Sequence, residues 1–306
     1  MNANVATAAP APLLLRRAGT LDTIVALVRR EFWEHRSLWI CALVVQGLLA
    51  LALLLGRIDI DVPAHNLTPQ QMASIFTIGQ WALAQPLYMV MAIVVVFYLL
   101  DCLYAERKDR SILFWKSLPL SDELTVGSKL LVAAVVVPLG AFLLASASDL
   151  VYAAIFAVRV PHAISWNTYE WLRTELVLLI ECVIGVLWYL PIAGALLLFS
   201  AWIRRNPILW ATLIPVVAPI VEYVALRTHY IWRFEQYRAG GIWHKLVSGP
   251  DVFEKAGFHN LPPAGVVLDT LNFRGIFTDA DLWLGIVAAF AMAYAAARVR
   301  RYRDDT

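Results

Sequence analysis

TELVLLIECVIGVLWYLPIAGALLLFSAWI, residues 174–203, is a stretch of 30 residues with only two charged side chains, Glu175 and Glu181. An α-helix rises 1.5 Å per residue, so about 20 apolar residues cross a hydrocarbon core of roughly 30 Å. Lipid offers the backbone no hydrogen-bond partners, and an open chain satisfies its own polar groups there only as a helix. The stretch therefore predicts a membrane-spanning helix that is longer than one crossing requires.

Five further segments of the chain are apolar in the same way. Together with the first, the six segments are residues 38–56, 82–100, 126–157, 174–203, 208–226 and 282–297. Hydrophobic residues make up 60% of the chain, charged residues 16%, and the mean hydropathy is +0.67. An average soluble domain is about 45–50% apolar and about 25% charged. A disordered chain and a large soluble catalytic domain are therefore excluded. The sequence predicts an all-α polytopic membrane protein with six transmembrane helices, in which a flexible tail at 1–19 precedes one domain at 20–306.

Aromatic and basic residues support this count of spans and predict their orientation. Tryptophans lie at the ends of the segments, as an aromatic belt requires, at Trp39, Trp81, Trp171, Trp202, Trp210 and Trp283. With the N-terminus inside, 16 of the 25 Lys and Arg residues lie on the cytoplasmic side. We therefore expect both termini in the cytoplasm. The net charge of +2 gives no reason to expect binding to nucleic acid.

Four segments outside the spans predict local structure. Residues 20–37 form an amphipathic pattern that predicts either a helix in the headgroup plane or a plain extension of the first span. Thr68 with Pro69 predicts the start of a short helix before Trp81. Residues 101–129, DCLYAERKDRSILFWKSLPLSDELTVGSK, join dense alternating charges to four large hydrophobes; this loop either packs on the membrane surface or inserts into a groove on a partner. Residues 227–280 predict an external loop with short amphipathic helices that cap the outer ends of the spans.

Sequence motifs for catalysis are missing from the chain. It contains no GxxxxGK[ST] phosphate loop, no HExxH, no GxSxG and no CxxC. None of its six histidines is paired with another at a spacing of four residues, and its three cysteines predict no disulfide framework. We therefore expect a protein that is not itself an enzyme and that binds no cofactor or metal.

Three acidic residues lie within the predicted spans, at Asp149, Glu181 and Glu222. A charge at the bilayer centre costs roughly 2.5–3.5 kcal/mol on insertion scales, so it is usually paired or functional. These carboxylates predict either the polar lining of a translocation path or a lock between helices. A third interpretation is that they are interfacial residues whose spans are displaced by one turn.

Residues 98–131 resemble the first cytoplasmic loop of bacterial type-2 ABC transporter permeases. The resemblance rests on ERKDRS at 106–111, on FWKSLP at 114–119, and on Ser121-Asp122 ahead of Lys129. VRREFWEHR at 28–36 is similar to the family's interfacial helix before the first span. DLWLG at 281–285, followed by a final span and the arginines from Arg298 to Arg303, is similar to its C-terminus.

This resemblance implies a permease subunit in the bacterial inner membrane that exports an unidentified substrate. In the family, the loop after the second span forms a coupling helix that docks on a separate ATP-binding subunit, which holds ATP and Mg. A second permease copy, identical or related, completes the assembly. The matching positions here are Glu106, Arg107, Lys108, Asp109, Arg110, Ser111, Phe114 and Trp115. Two alternatives stay open from the residues alone, a membrane-embedded hydrolase or transferase and a non-transporting scaffold or sensor.

Overall fold

The computed structural model describes residues 19–57, 68–117, 120–159, 166–246, 267–269 and 271–302. Apart from Gly19, the predicted tail at 1–19 lies outside these residues, and so does a large part of the predicted loop at 227–280. The helices, in chain order, are α1 (Thr20–Glu34), α2 (Ser37–Leu55), α3 (Pro69–Lys108), α4 (Ser111–Ser117), α5 (Asp122–Leu131), α6 (Val137–Arg159), α7 (Thr168–Trp202), α8 (Pro207–Leu226), α9 (Tyr230–Leu246), α10 (Phe273–Phe277) and α11 (Ala280–Tyr302).

Within the described residues, six helices are long and apolar enough to cross a membrane, which confirms the predicted fold class. They are α2, α3, α7, α8, α11 and the continuous pair of α5 and α6. A single π-helical turn, Val132–Val136, joins α5 to α6. The amphipathic segment predicted at 20–37 forms α1, which packs against α5. The chain is an all-α, multi-pass membrane protein.

The start of α3 corrects one prediction. Thr68 accepts a hydrogen bond from the Gln71 backbone N–H at 3.3 Å, and the Gln71 side chain accepts one from the Thr68 N–H at 2.9 Å. This reciprocal cap begins a helix as predicted, but the expected separate short helix is wrong. The helix continues for 40 residues, about 60 Å, through Pro86 to Lys108. Proline is tolerated there because neighbouring helices can satisfy the backbone group that it frees.

The core of the bundle lies around α7. This helix packs most extensively against α11 and next against α3, whereas nearly the whole surface of α8 is exposed. The backbones of α7 and α11 come close together at Gly194, where a side-chain Cβ would lie 2.7 Å from the carbonyl oxygen of Ala289 in α11. Glycine allows the two backbones to meet at this distance, as small residues commonly do between membrane helices.

Replacement of Gly194 by alanine is expected to destabilise the protein by about 1–3 kcal/mol, because the new methyl group forces α7 and α11 apart. Gly185→Ala in the same helix is the matched control, since a Cβ there meets no atom within 4 Å. We expect that control to be neutral or stabilising by up to about 1 kcal/mol. The measurement is the free energy of unfolding in SDS titrations of detergent-solubilised protein. Equal effects of the two substitutions would contradict the close packing.

Candidate functional site

Charged side chains from four helices meet in the interior at one end of the bundle. Here α3 and α11 end, α5 begins, and α1 packs alongside. The six side chains, which we call the charge network, are Arg30 and Glu31 from α1, Glu106 from α3, Asp122 and Lys129 from α5, and Arg300 from α11. We call this end of the bundle the network end.

Lys129 and Glu106 are the centre of the charge network. The Lys129 Nζ atom lies 2.8 Å from Glu31 Oε1 and 3.1 Å from Glu106 Oε1. Glu106 also accepts hydrogen bonds from Arg30 at 2.7 Å and from Arg300 at 3.1 Å. Arg300 reaches Asp122 as well. Three carboxylates thus meet three cations, and this balance compensates for the high cost of removing ions from water.

Tyr98 and His35 complete the surroundings of Glu31. The Tyr98 hydroxyl donates a hydrogen bond of 2.9 Å to Glu31 Oε2, and the His35 ring contacts the Tyr98 ring edge-on with centroids 4.8 Å apart. Burial lowers the pKa of His35, and the Glu31 carboxylate raises it by less. Glu31, Glu34 and His35 place ligand atoms within 4.8 Å of one another, a spacing at which they could hold a metal ion. The charge of Glu31 is, however, already matched by Lys129.

Helix α4 is attached to the charge network on one side and open on the other. Its Trp115 ring centre lies 3.7 Å from the Arg30 guanidinium carbon, a cation–π contact. Ile112 is buried, whereas Leu113 is 63% exposed and Phe114 60% exposed. An exposed apolar pair thus lies beside a rigid group of buried charges.

The positions matched to the coupling helix are divided between the interior and the surface. The expected single helix over 106–115 is interrupted, because α3 ends at Lys108 and Arg110 adopts a left-handed backbone with φ of 57°. Glu106 lies inside the charge network. Arg107 donates hydrogen bonds to the backbone carbonyls of Ser200 and Ile203, at 2.6 and 2.9 Å, and so ties α3 to the end of α7. The others lie in α4 or are exposed beside it, namely Lys108, Asp109, Arg110, Ser111, Phe114 and Trp115.

Two of the three predicted intramembrane carboxylates have structural partners. Glu222 accepts hydrogen bonds from the backbone N–H groups of Tyr230 and Ile231, both at 2.7 Å, and so caps the first turn of α9. Asp149 accepts one from the Gln80 side chain at 3.4 Å, between α3 and α6. These contacts tie each residue to a neighbouring element, and the predicted role of either residue in a translocation path or as a lock between helices stays a prediction.

Sequence reasoning missed the charge network as a unit, because its residues were considered separately. Lys129 had a recognisable signal. It follows Val126 and precedes Leu130 and Ala133 on one helical face, and all three of these apolar residues are buried. A lysine within such a stripe indicates a buried partner of opposite charge.

Comparisons of the chain with protein-family models, with curated proteins and with solved structures find no match. The function is therefore argued from the sequence pattern and the geometry of the chain.

Replacement of Lys129 by methionine is expected to destabilise the protein by about 3–5 kcal/mol, because Glu31 and Glu106 lose a shared cation while they stay buried. The double variant, Lys129→Met with Glu31→Gln, should lose less free energy of unfolding than the sum of the losses of the two single variants. Arg173→Met is the control, since the pair of Arg173 with Glu170 is partly exposed and contributes about 0–1 kcal/mol. The free energy of unfolding measures all four variants. A Lys129→Met loss no larger than that of Arg173→Met would contradict the network.

Stability is expected to fall as the pH is lowered through the ordinary pKa of His35, 6.5. Because burial lowers the pKa in the folded protein, the unfolded chain binds a proton at a higher pH than the folded one. The stability that His35 contributes is therefore complete above pH 6.5 and is lost below it. Free energies of unfolding between about pH 7.5 and about pH 5.5 should show a smaller loss for His35→Gln than for the unsubstituted protein. Identical pH profiles would contradict this assignment.

Proposed function

We propose that the chain is the membrane-spanning permease subunit of an ABC transporter in a bacterial inner membrane. It moves its substrate outward, and ATP hydrolysis in a separate subunit, which holds ATP and Mg, drives the movement. A second permease copy completes the pair of spanning subunits. The network end faces the cytoplasm in this proposal, in agreement with the basic residues at the ends of α3 and α11.

The observation that carries the proposal is the arrangement of α4. Leu113 and Phe114, which we call the docking pair, project from a seven-residue helix that the family resemblance assigns to contact with the ATPase. Exposed Lys108 and Arg110 lie beside the pair. A small exposed apolar surface bordered by charged side chains has the composition that a groove on a protein partner binds.

The contacts of α4 supply a route by which movement of the partner reaches the spans. Trp115 packs on Arg30, Arg30 binds Glu106, and Glu106 binds Lys129 and Arg300. A displacement of α4 therefore acts on α1, α3, α5 and α11 together. Because packed interiors deform as units, the charge network converts a small shift of α4 into a movement of whole helices.

Replacement of the docking pair by aspartate, Leu113→Asp with Phe114→Asp, is expected to abolish co-purification of an ATP-binding subunit and ATP-driven transport. Folding should be preserved, since both side chains are largely exposed and neither belongs to the charge network. The chain is tagged at its C-terminus and purified gently from native membranes. Co-purifying proteins are identified, and ATP hydrolysis of the complex is measured.

Phe277→Asp in α10 is the matched control, because Phe277 is also exposed, at 44%. Phe277 lies near the start of α11 and therefore at the end of the bundle opposite the network end. It should retain both the subunit and its ATPase activity. Substrate turnover by the isolated chain without ATP would instead indicate a hydrolase or transferase. A stable partner complex that contains no ATPase would indicate a scaffold or sensor. Either result would overturn the proposal.

A further inference from the structure

A cavity of about 570 Å³ lies between α3, α6 and α7. Its volume is within the range of about 300–1,000 Å³ that is typical of small-molecule sites. The α3 residues that line it run from Gln85 to Leu99, a rise of about 21 Å along the helix. The cavity is therefore elongated and lies parallel to the spans.

The polar groups of the cavity are concentrated towards one end. Gln85 and Tyr88 lie there on α3, and Glu181 faces them from α7. The Leu103 N–H of α3 donates a hydrogen bond to the Ser200 hydroxyl of α7. Gln85 lies 18 residues before Leu103, and Glu181 lies 19 residues before Ser200. Gln85 and Glu181 are therefore at nearly the same level along the two helices. The rest of the wall is largely apolar and includes Met91, Val95, Leu99, Leu178 and Leu190, and the hydroxyl of Tyr189 donates to the Ala239 carbonyl.

Among the described residues, Glu181 is the only charged one in the cavity wall, and it has no hydrogen-bond or ion-pair partner there. The buried Tyr88 hydroxyl likewise makes no hydrogen bond to the described residues. A carboxylate and a hydroxyl left without partners in an apolar site are costly. This distinguishes Glu181 from Asp149 and Glu222, whose oxygens accept hydrogen bonds.

The backbone provides the space for the cavity. The π-helical turn at Val132–Val136 places Ala133 and Ala134 in the wall, and Gly185 contributes no side chain. A Cβ at Gly185 would meet no atom within 4 Å. Helical turns of this kind occur frequently at functional sites.

We infer that the cavity binds a cationic amphiphile, a molecule with one protonated amine and a long apolar body. The amine pairs with Glu181 and lies within reach of Tyr88, and the apolar body extends along α3 towards Leu99. Charge complementarity selects this occupant over a neutral lipid chain, because a protonated amine both neutralises the carboxylate and donates charge-assisted hydrogen bonds to it. The inference does not depend on ATP-driven transport, since binding is a property of this chain alone.

The test uses the full-length chain in phosphatidylcholine nanodiscs and a hexadecylamine that carries a photoreactive diazirine in its chain. Hexadecanol with the same diazirine is the uncharged counterpart, and labelled peptides are quantified by mass spectrometry. We expect the amine to label α3 and α7 peptides of the cavity. Glu181→Gln should lower that labelling about tenfold, the factor that loss of one charge-assisted hydrogen bond implies. It should leave labelling by the alcohol unchanged.

Two further variants distinguish a loss of labelling that comes from the cavity from one that comes from misfolding. Glu175→Gln removes a carboxylate of the same helix outside the cavity wall and should retain labelling by the amine. Gly185→Leu fills the open space and should suppress it. Equal labelling by the amine and the alcohol would show that the cavity accepts any long apolar chain, and it would overturn the inference. Labelling by the amine that is unaffected by Glu181→Gln, or absent from both helices, would overturn it as well.

Discussion

Lys129 carries a positive charge at a position where only 1% of its side chain is exposed, and it meets the carboxylates of Glu31 and Glu106 there. Removing an ion from water costs several kcal/mol unless its partners have good geometry and further hydrogen bonds. Tyr98 and Arg300 supply such bonds to the two carboxylates. Since each member would be left uncompensated without the others, helices α1, α3, α5 and α11 have one favourable arrangement at this end of the bundle.

The opposite end of the bundle is joined by smaller groups of contacts. Arg159 binds backbone carbonyls at the end of α2, among them that of Gly56 at 2.8 Å, and Glu222 binds backbone N–H groups at the start of α9. Each of these two contacts links two elements, and a further group joins α9 to α11, where Lys245 and Arg238 bind Asp281. The charge network joins four helices through buried ion pairs. The proposed function relies on the charge network, because α4 contacts it through Trp115 and Arg30.

The sequence predicted the six spans because hydropathy is a local property that each segment carries by itself. It also predicted the cap at Thr68, whose partner Gln71 lies three residues away. The charge network was beyond such reasoning, since its pairs are separated by 76 residues for Arg30 with Glu106 and by 194 for Arg300 with Glu106. For the same reason Glu106 was grouped with its exposed sequence neighbours. Glu181 was identified from its charge in an apolar run, but only the packing of α3 against α7 shows that it faces a cavity.

Site-specific photo-crosslinking from α4 tests the central claim most directly. Phe114 is replaced by a photoreactive phenylalanine analogue, cells are irradiated, and the adduct is identified by mass spectrometry. The account predicts one main protein adduct, to a subunit with a GxxxxGK[ST] phosphate loop, because that sequence cradles the phosphates of ATP. Adducts formed only with lipid, or with a protein that contains no nucleotide-binding motif, would contradict the assignment of α4 as the site at which ATP hydrolysis is coupled to the spans.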